Sequence, residues 1–328
     1  MMPKPQGSFR LFQAGGITVF LHWSWFLVAA YEFNARADRY DSRGWNVVEY
    51  LALFAMVLMH EFGHSLACRQ VGGQASQIVL WPLGGVAYVA PPQRPGATLW
   101  SIVAGPLVNV VLFVVLTALE VIVLTAGLAE TTSDAIRCLD EIWKMNLGLL
   151  VFNLLPIYPL DGGQILRSLL WYFVGPAKSL VATTVIGLLG VGLLLTLVVF
   201  GLVMSGAAVS GAILWLGVLC AFILMNCWRG LQTALVMLKL ERRPRRLGFA
   251  CPICRMAPQM GAFWGCGRCR TAFDTFETLA TCPTCAAQFA QTRCLNCGGE
   301  SPLSEWLVPA PVMATLAPIS PDSPQSGP

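Results

Sequence analysis

The sequence predicts an all-α polytopic membrane protein of about six transmembrane helices, followed by a small cysteine-rich domain. Three observations predict it. The chain is 56% hydrophobic; only 12% of its 328 residues are charged, against about a quarter in a soluble domain; and four Cys-x-x-Cys pairs crowd into residues 251–297.

Apolar runs recur at lengths near the ~20 residues that cross a hydrocarbon core. Spans are expected at 17–33, 47–68, 98–127, 143–172 (broken in the middle), 180–204 and 208–228, after an N-terminal segment 1–16. The membrane domain then covers 17–230, a basic linker 231–248, the cysteine-rich domain 249–300 and a Pro- and Ser-rich disordered tail 301–328. The first apolar run, behind Lys4 and Arg10, could also be a cleavable signal peptide ending near Ala29-Ala30. Gly15-Gly16, His22, Trp23 and Trp25 sit poorly in such an apolar core. Lys and Arg mark cytoplasmic loops. Placing both termini inside gathers most of them there, including Arg242, Arg243, Arg245 and Arg246 directly after the last span. That cluster serves as a stop signal or touches anionic lipid. The expected location is the cell inner membrane, with the lipid bilayer as a constant partner. A net charge of +4 makes no case for nucleic acid.

The informative segment is Met59-His60-Glu61-Phe62-Gly63-His64-Ser65, inside the second run. Residues four apart share a helix face, so His60 and His64 can offer two imidazole nitrogens to one metal ion. Glu61, about 100° round the helix, lies close enough to take a proton from a metal-activated water. The chain has three histidines in all, and two fall at ligand spacing where ionisable groups are costly. A catalytic zinc takes three protein ligands. The best source of the third is Phe152-Asn153-Leu154-Leu155-Pro156-Ile157-Tyr158-Pro159-Leu160-Asp161-Gly162-Gly163-Gln164, where prolines and glycines interrupt an apolar span. Irregular backbone at membrane depth must be buried in protein or line a wet cavity. Asp161 therefore points into a wet site or caps the helix that follows. Asn153 bonds a neighbouring helix, or grips a substrate backbone or developing oxyanion.

His60-Glu61-x-x-His64 together with Asn153-x-x-Pro156-x-x-Pro159-Leu160-Asp161-Gly162-Gly163 resembles the paired signature of the site-2 intramembrane metalloproteases. The resemblance covers residues 10–230. It implies a zinc endopeptidase cutting a membrane-embedded protein substrate, with His60, His64 and Asp161 as zinc ligands, Glu61 as general base and Asn153 as an auxiliary residue. It favours a retained first helix. Gly105-Pro106-Leu107-Val108-Asn109 resembles a family element packed beside the site. Trp81-Pro82-Leu83-Gly84-Gly85-Val86-Ala87 resembles the short β-hairpin after the zinc-binding helix, whose edge holds an extended substrate. His22 resembles a polar position of the first helix.

Cys251/Cys254, Cys266/Cys269, Cys282/Cys285 and Cys294/Cys297 can each clasp one side of a tetrahedral ion. Eight thiolates make two structural zinc sites in a four-cysteine, double zinc-ribbon-like domain, paired in chain order or cross-braced. Disulfides compete, but a cytoplasmic placement is reducing. The domain is expected to serve a protein partner. A non-catalytic membrane scaffold recruiting partners through this tail is the rival function; an intact Glu61 argues against it, since a scaffold needs no base. A metal transporter fits less well, because the intramembrane acids do not form a path across the bilayer.

Overall fold

The computed structural model describes residues 7–35, 38–81, 84–126, 134–205 and 211–308. These fall into two compact units dividing after Leu235.

The first unit begins with strands, not with a membrane helix. β1 (Ser8–Ala14) and β2 (Ile17–His22) form an antiparallel hairpin, followed by a short helix α1 (Trp25–Ala35) and the long α2 (Arg43–Gln70). β3 (Gln74–Trp81) then pairs in parallel with β2, and β4 (Gly84–Ala90) closes antiparallel on β3, giving the order β1-β2-β3-β4. The expected first span 17–33 is thus half strand and half an 11-residue helix. Pairing is the cause: β2 lies in parallel register with β3, Val19 opposite Ile78 and Leu21 opposite Leu80, and Ile17 and Val19, like Ile78 and Leu80, are completely buried in one core with Val57 of α2. The expected hairpin after α2 is present, but as one half of a four-stranded sheet. Arg69, in the last turn of α2, ties the pieces together: its Nε donates to the Ala75 carbonyl at 2.9 Å and its guanidinium reaches the carbonyls of Gly15 and Gly16.

Beyond the sheet come α3 (Pro95–Thr125), α4 (Asp134–Leu154), α5 (Asp161–Ser205) and α6 (Gly211–Glu241). The expected broken span 143–172 is the end of α4, an irregular loop at 155–160 and the start of α5. α5 breaks again at Gly175, whose φ of 82° only glycine adopts readily. Among the described residues, four helices are long and apolar enough to cross a membrane by length and composition: Arg43–Gln70, Pro95–Thr125, Asp161–Ser205 and Leu216–Glu241. α4 falls outside that set because Asp134, Arg137, Asp140, Glu141 and Lys144 load its first half with charge. Large apolar side chains such as Val114, Ile122, Leu189 and Phe200 stand more than half exposed on α3 and α5, which suits a lipid-facing surface.

The second unit holds the cysteines, and its chain is built from one repeated turn. In each Cys-x-x-Cys the residue after the second cysteine has positive φ: Arg255 62°, Arg270 62°, Ala286 55° and Gly298 75°. Each of these donates its N–H to the carbonyl of the first cysteine, at 2.8 to 2.9 Å. The left-handed turn aims both sulfurs to one side. Order extends past the expected boundary at 300: β8 (Glu300–Ser301) and a 3-10 turn at Leu303–Trp306 follow, and Trp306 is 1% exposed in a core with Phe276. A large aromatic packed in this way cannot belong to a disordered tail; residues 309–328 lie outside those described. The expected linker 231–248 is likewise structured. α6 runs into it, and Arg246 donates to Asp274 at 2.8 Å. Burial pushes the Asp274 carboxyl up, but the Gly261 N–H, the Arg246 guanidinium and the Phe276 N–H outweigh it and hold it below its usual value.

A non-glycine residue held in the left-handed region costs about 1–2 kcal/mol. Arg270→Gly should therefore raise the stability of the cysteine-rich unit by about 1 kcal/mol, and Gly298→Ala should lower it by a similar amount, read from tryptophan fluorescence during denaturant unfolding.

Candidate metal centre

α2 supplies two donors. The imidazole rings of His60 and His64 lie 4.7 Å apart and nearly perpendicular, at 86°, and both are buried. Their tautomers follow from their partners. The backbone carbonyl of Asn109 can only accept, so Asn146 Nδ2 donates to it at 2.9 Å. Asn146 Oδ1 then accepts from Asn109 Nδ2 at 2.9 Å. That leaves Asn109 Oδ1 facing His60 Nδ1 at 2.6 Å, so Nδ1 carries the hydrogen. His64 Nδ1 likewise donates to the Ser101 carbonyl at 2.9 Å. Each Nε2 is left as a bare lone pair.

These lone pairs converge. The two Nε2 atoms are 3.1 Å apart, and Asp161 Oδ2 lies 3.0 Å from His60 Nε2 and 3.4 Å from His64 Nε2. Asp161 opens α5 directly after the irregular loop, and its Oδ2 is buried without a hydrogen bond. Three electron-pair donors this close, away from water, repel one another unless a cation sits among them. A tetrahedral ion bound at ~2.0–2.1 Å requires ligand edges of roughly 3.3–3.4 Å. The donor set therefore fits zinc.

Neighbouring glycines make the room. Ser101, Gly105 and Asn109 recur every four residues down one face of α3, opposite the histidines. A Cβ on Gly105 would overlap His64 Nε2, and one on Gly63 would come 2.6 Å from the Ala104 carbonyl, so α2 and α3 can approach closely only with glycine at both positions. Gly162 and Gly163 play the same part beside Asp161, where a Cβ would strike the backbone of the 154–158 loop. Cys227 of α6 pins that loop by donating to the Tyr158 carbonyl at 2.8 Å.

Glu61 is 5% exposed, and its Oε2 accepts the Ala87 N–H of β4 at 2.9 Å. Gly85 lies against it; a Cβ there would overlap the Glu61 carboxylate. The base candidate thus touches both the metal helix and the sheet. Asn153 is not drawn into the cluster: it is half-buried in the last turn of α4, and its amide makes no hydrogen bond among the described residues. His22 stacks on Trp81, ring centroids 4.1 Å apart, where β2 and β3 end together. Sequence reasoning missed Asn146 and Ser101. Asn146 was the findable one, being an amide in an apolar stretch of helix; Ser101 acts through its backbone carbonyl, which any residue carries.

The model of peptidase family M50 matches residues 48–145 and 121–197. Over residues 48–197 the chain is therefore similar to peptidase family M50. A zinc metalloprotease of Methanocaldococcus jannaschii is 33% identical over 180 residues, 55% of this chain and 50% of that protein. A candidate zinc metalloprotease of Synechocystis is 33% identical over 173 residues, 49% of this chain and 43% of that protein. The chain spans about half the length of the curated relatives it matches. The solved site-2 protease from Methanocaldococcus jannaschii aligns with 68% of this chain and 95% of its own at 27% identity and a TM-score of 0.47. The M50 segment contains His60, Glu61, His64 and Asp161 together with Ser101, Gly105, Asn109 and Asn146. The eight tail cysteines lie outside it, gathered into two sets of four: Cys251, Cys254, Cys294 and Cys297; and Cys266, Cys269, Cys282 and Cys285.

Removing a hydrogen-bonding partner of a metal-bound histidine typically costs 10–100-fold in affinity. Asn109→Ala should weaken zinc binding by the M50 segment by about that factor, and Gly105→Ala should abolish it by filling the space beside His64 Nε2. Zinc content of the chain shortened after Glu241, which removes all eight tail cysteines, measures both.

Proposed function

We propose that the chain is an intramembrane zinc endopeptidase that hydrolyses a peptide bond in a membrane-embedded protein, with His60, His64 and Asp161 holding the ion and Glu61 as general base. The convergence of His60 Nε2, His64 Nε2 and Asp161 Oδ2, with the Glu61 carboxylate beside them, carries this reading. Zinc held there supplies Lewis acidity to a water and to the scissile carbonyl.

The chain's own residues do the rest. Asn109 and the Ser101 carbonyl fix the tautomer and the aim of both imidazoles, so metal binding requires no tautomer change. Glu61 takes the water's proton and delivers it to the leaving amine, the part a positioned carboxylate plays in general acid–base catalysis. The N–H of Ala87 holds that carboxylate against the free edge of β4. Backbone groups on such an edge can pair with an extended peptide, so the edge is where we place the substrate strand. Asn153, with an uncommitted amide on α4, is available to its backbone. Positive residues in the loops put both termini and the sheet on the cytoplasmic side, and water reaches the centre from there. In the tail, each set of four cysteines holds one structural zinc, giving one catalytic and two structural ions, and the cysteine-rich unit serves a protein partner.

Glu61→Gln keeps the side chain's size and removes only the proton acceptor. It should lower cleavage of a transmembrane model substrate by about 10²–10⁴-fold while zinc content stays unchanged. Asp161→Ala should lose both activity and zinc from the chain shortened after Glu241. Wild-type turnover in the Glu61 variant would sink the base assignment, and full zinc content in the Asp161 variant would send the third ligand elsewhere.

A further inference from the structure

Four Cys-x-x-Cys turns can share two metal ions in three ways: in chain order, alternately, or nested, with the first turn joined to the fourth and the second to the third. We infer that the tail is nested. This rests on the reading that its thiolates hold zinc. The sulfur of Cys251 lies 3.7 Å from that of Cys297, and Cys254 is 3.8 Å from Cys294. In the other set Cys266 is 3.6 Å from Cys285, and Cys269 is 3.6 Å from Cys282. Four sulfurs around one zinc at ~2.3 Å are separated by about 3.8 Å, the edge of their tetrahedron. Disulfide sulfurs would lie at about 2.05 Å. Each observed contact therefore has the length of a tetrahedron edge and joins a cysteine of one turn to a cysteine of the turn its nested partner supplies.

The backbone explains the pairing. The second turn sits in the hairpin of β5 (Trp264–Gly265) and β6 (Ala272–Phe273), and Phe273 packs with Cys266, Cys282 and Phe289 in a core of its own. The inner site is complete within residues 266–285. The outer site closes only when the two ends of the unit meet. They do so through Ala250 N–H on the Trp306 carbonyl at 2.8 Å and Val308 N–H on the Gly248 carbonyl at 3.1 Å, with Trp306 buried against Phe276 and Cys294. Trp264 belongs to both cores and donates to the Arg293 carbonyl at 3.0 Å. Two of the four turns thus form an internal module, and the first and last turns clamp shut around it.

The full chain loaded with cobalt tests this, because a thiolate-to-cobalt charge-transfer band reports the cysteine sites and is blind to His60, His64 and Asp161. The wild type should show the band. Changing all four cysteines of the first and fourth turns to serine should keep about half of it, and so should changing all four of the second and third. Changing the first and second turns together should remove it, because each nested site then keeps only two thiolates. In case a substituted tail fails to fold, the unsubstituted chain loaded with the spin-half cadmium isotope gives the partition directly. One cadmium should couple to the β-protons of Cys251, Cys254, Cys294 and Cys297, the other to those of the remaining four. Cadmium coupled to Cys251 together with Cys266, or together with Cys282, overturns the nested assignment while leaving the metal reading intact. A wild-type chain with no thiolate band overturns the metal reading and the pairing with it.

Discussion

The membrane unit is organised around one electrostatic constraint: two imidazole nitrogens and a carboxylate oxygen held within 3.4 Å of one another among buried side chains. Such a cluster is unfavourable by itself. It persists because the surrounding helices fix each partner from behind. The Asn146–Asn109–His60 chain of hydrogen bonds begins at a backbone carbonyl, which cannot be flipped or protonated at ordinary pH, so the polarity of every later link is dictated. Networks of this kind are strong only when every member is satisfied. Here Asp161 Oδ2 is left without a hydrogen bond, and it faces the two Nε2 atoms, whose rings spend their Nδ1 hydrogens elsewhere.

Holding those atoms requires backbones to come closer than side chains normally permit. Gly63 and Gly105 bring α2 and α3 together, Gly85 lets β4 lie on Glu61, and Gly162 with Gly163 folds the start of α5 back on its own loop. Each omitted Cβ sits next to a residue of the centre. The sheet contributes in the same way. Arg69 ties the β1–β2 turn to β3, and the Ala87 N–H then meets Glu61 from a strand whose register is set by that packing. The position of the Glu61 carboxylate is therefore a property of the whole sheet as well as of the helix that carries it.

Much of this was legible in the sequence, and the parts that were not share a cause. His60, Glu61 and His64 announce themselves because their spacing is local, and Asp161 does so because Pro156, Pro159, Gly162 and Gly163 break an apolar run around it. The eight tail cysteines are equally plain. Residues 17–22 were not, since a short apolar run reads the same in a strand as in a membrane helix, and only pairing with β3 decides between them. The expected first span came apart for the same reason: hydropathy counts apolar length, while the strand β2 is recognised by its partner. Trp306 was assigned to a disordered tail because Pro- and Ser-rich composition hides a single aromatic that completes a core. Asn146 lay outside every motif. In each case the missing information was a contact between residues far apart in sequence.

The two kinds of donor set explain why one chain carries both. Three ligands leave one corner of a tetrahedron open, and the open corner is where a water or a carbonyl can enter. Four sulfurs leave none. Imidazole and carboxylate keep an ion electron-poor enough to polarise what it binds, whereas four thiolates donate so much charge that the ion can do little but hold its ligands together. On the proposed metal reading, the tail, with only small cores around Trp306 and Phe273, leans on its ions for stability, whereas in the membrane unit α3 also packs against both α2 and α5.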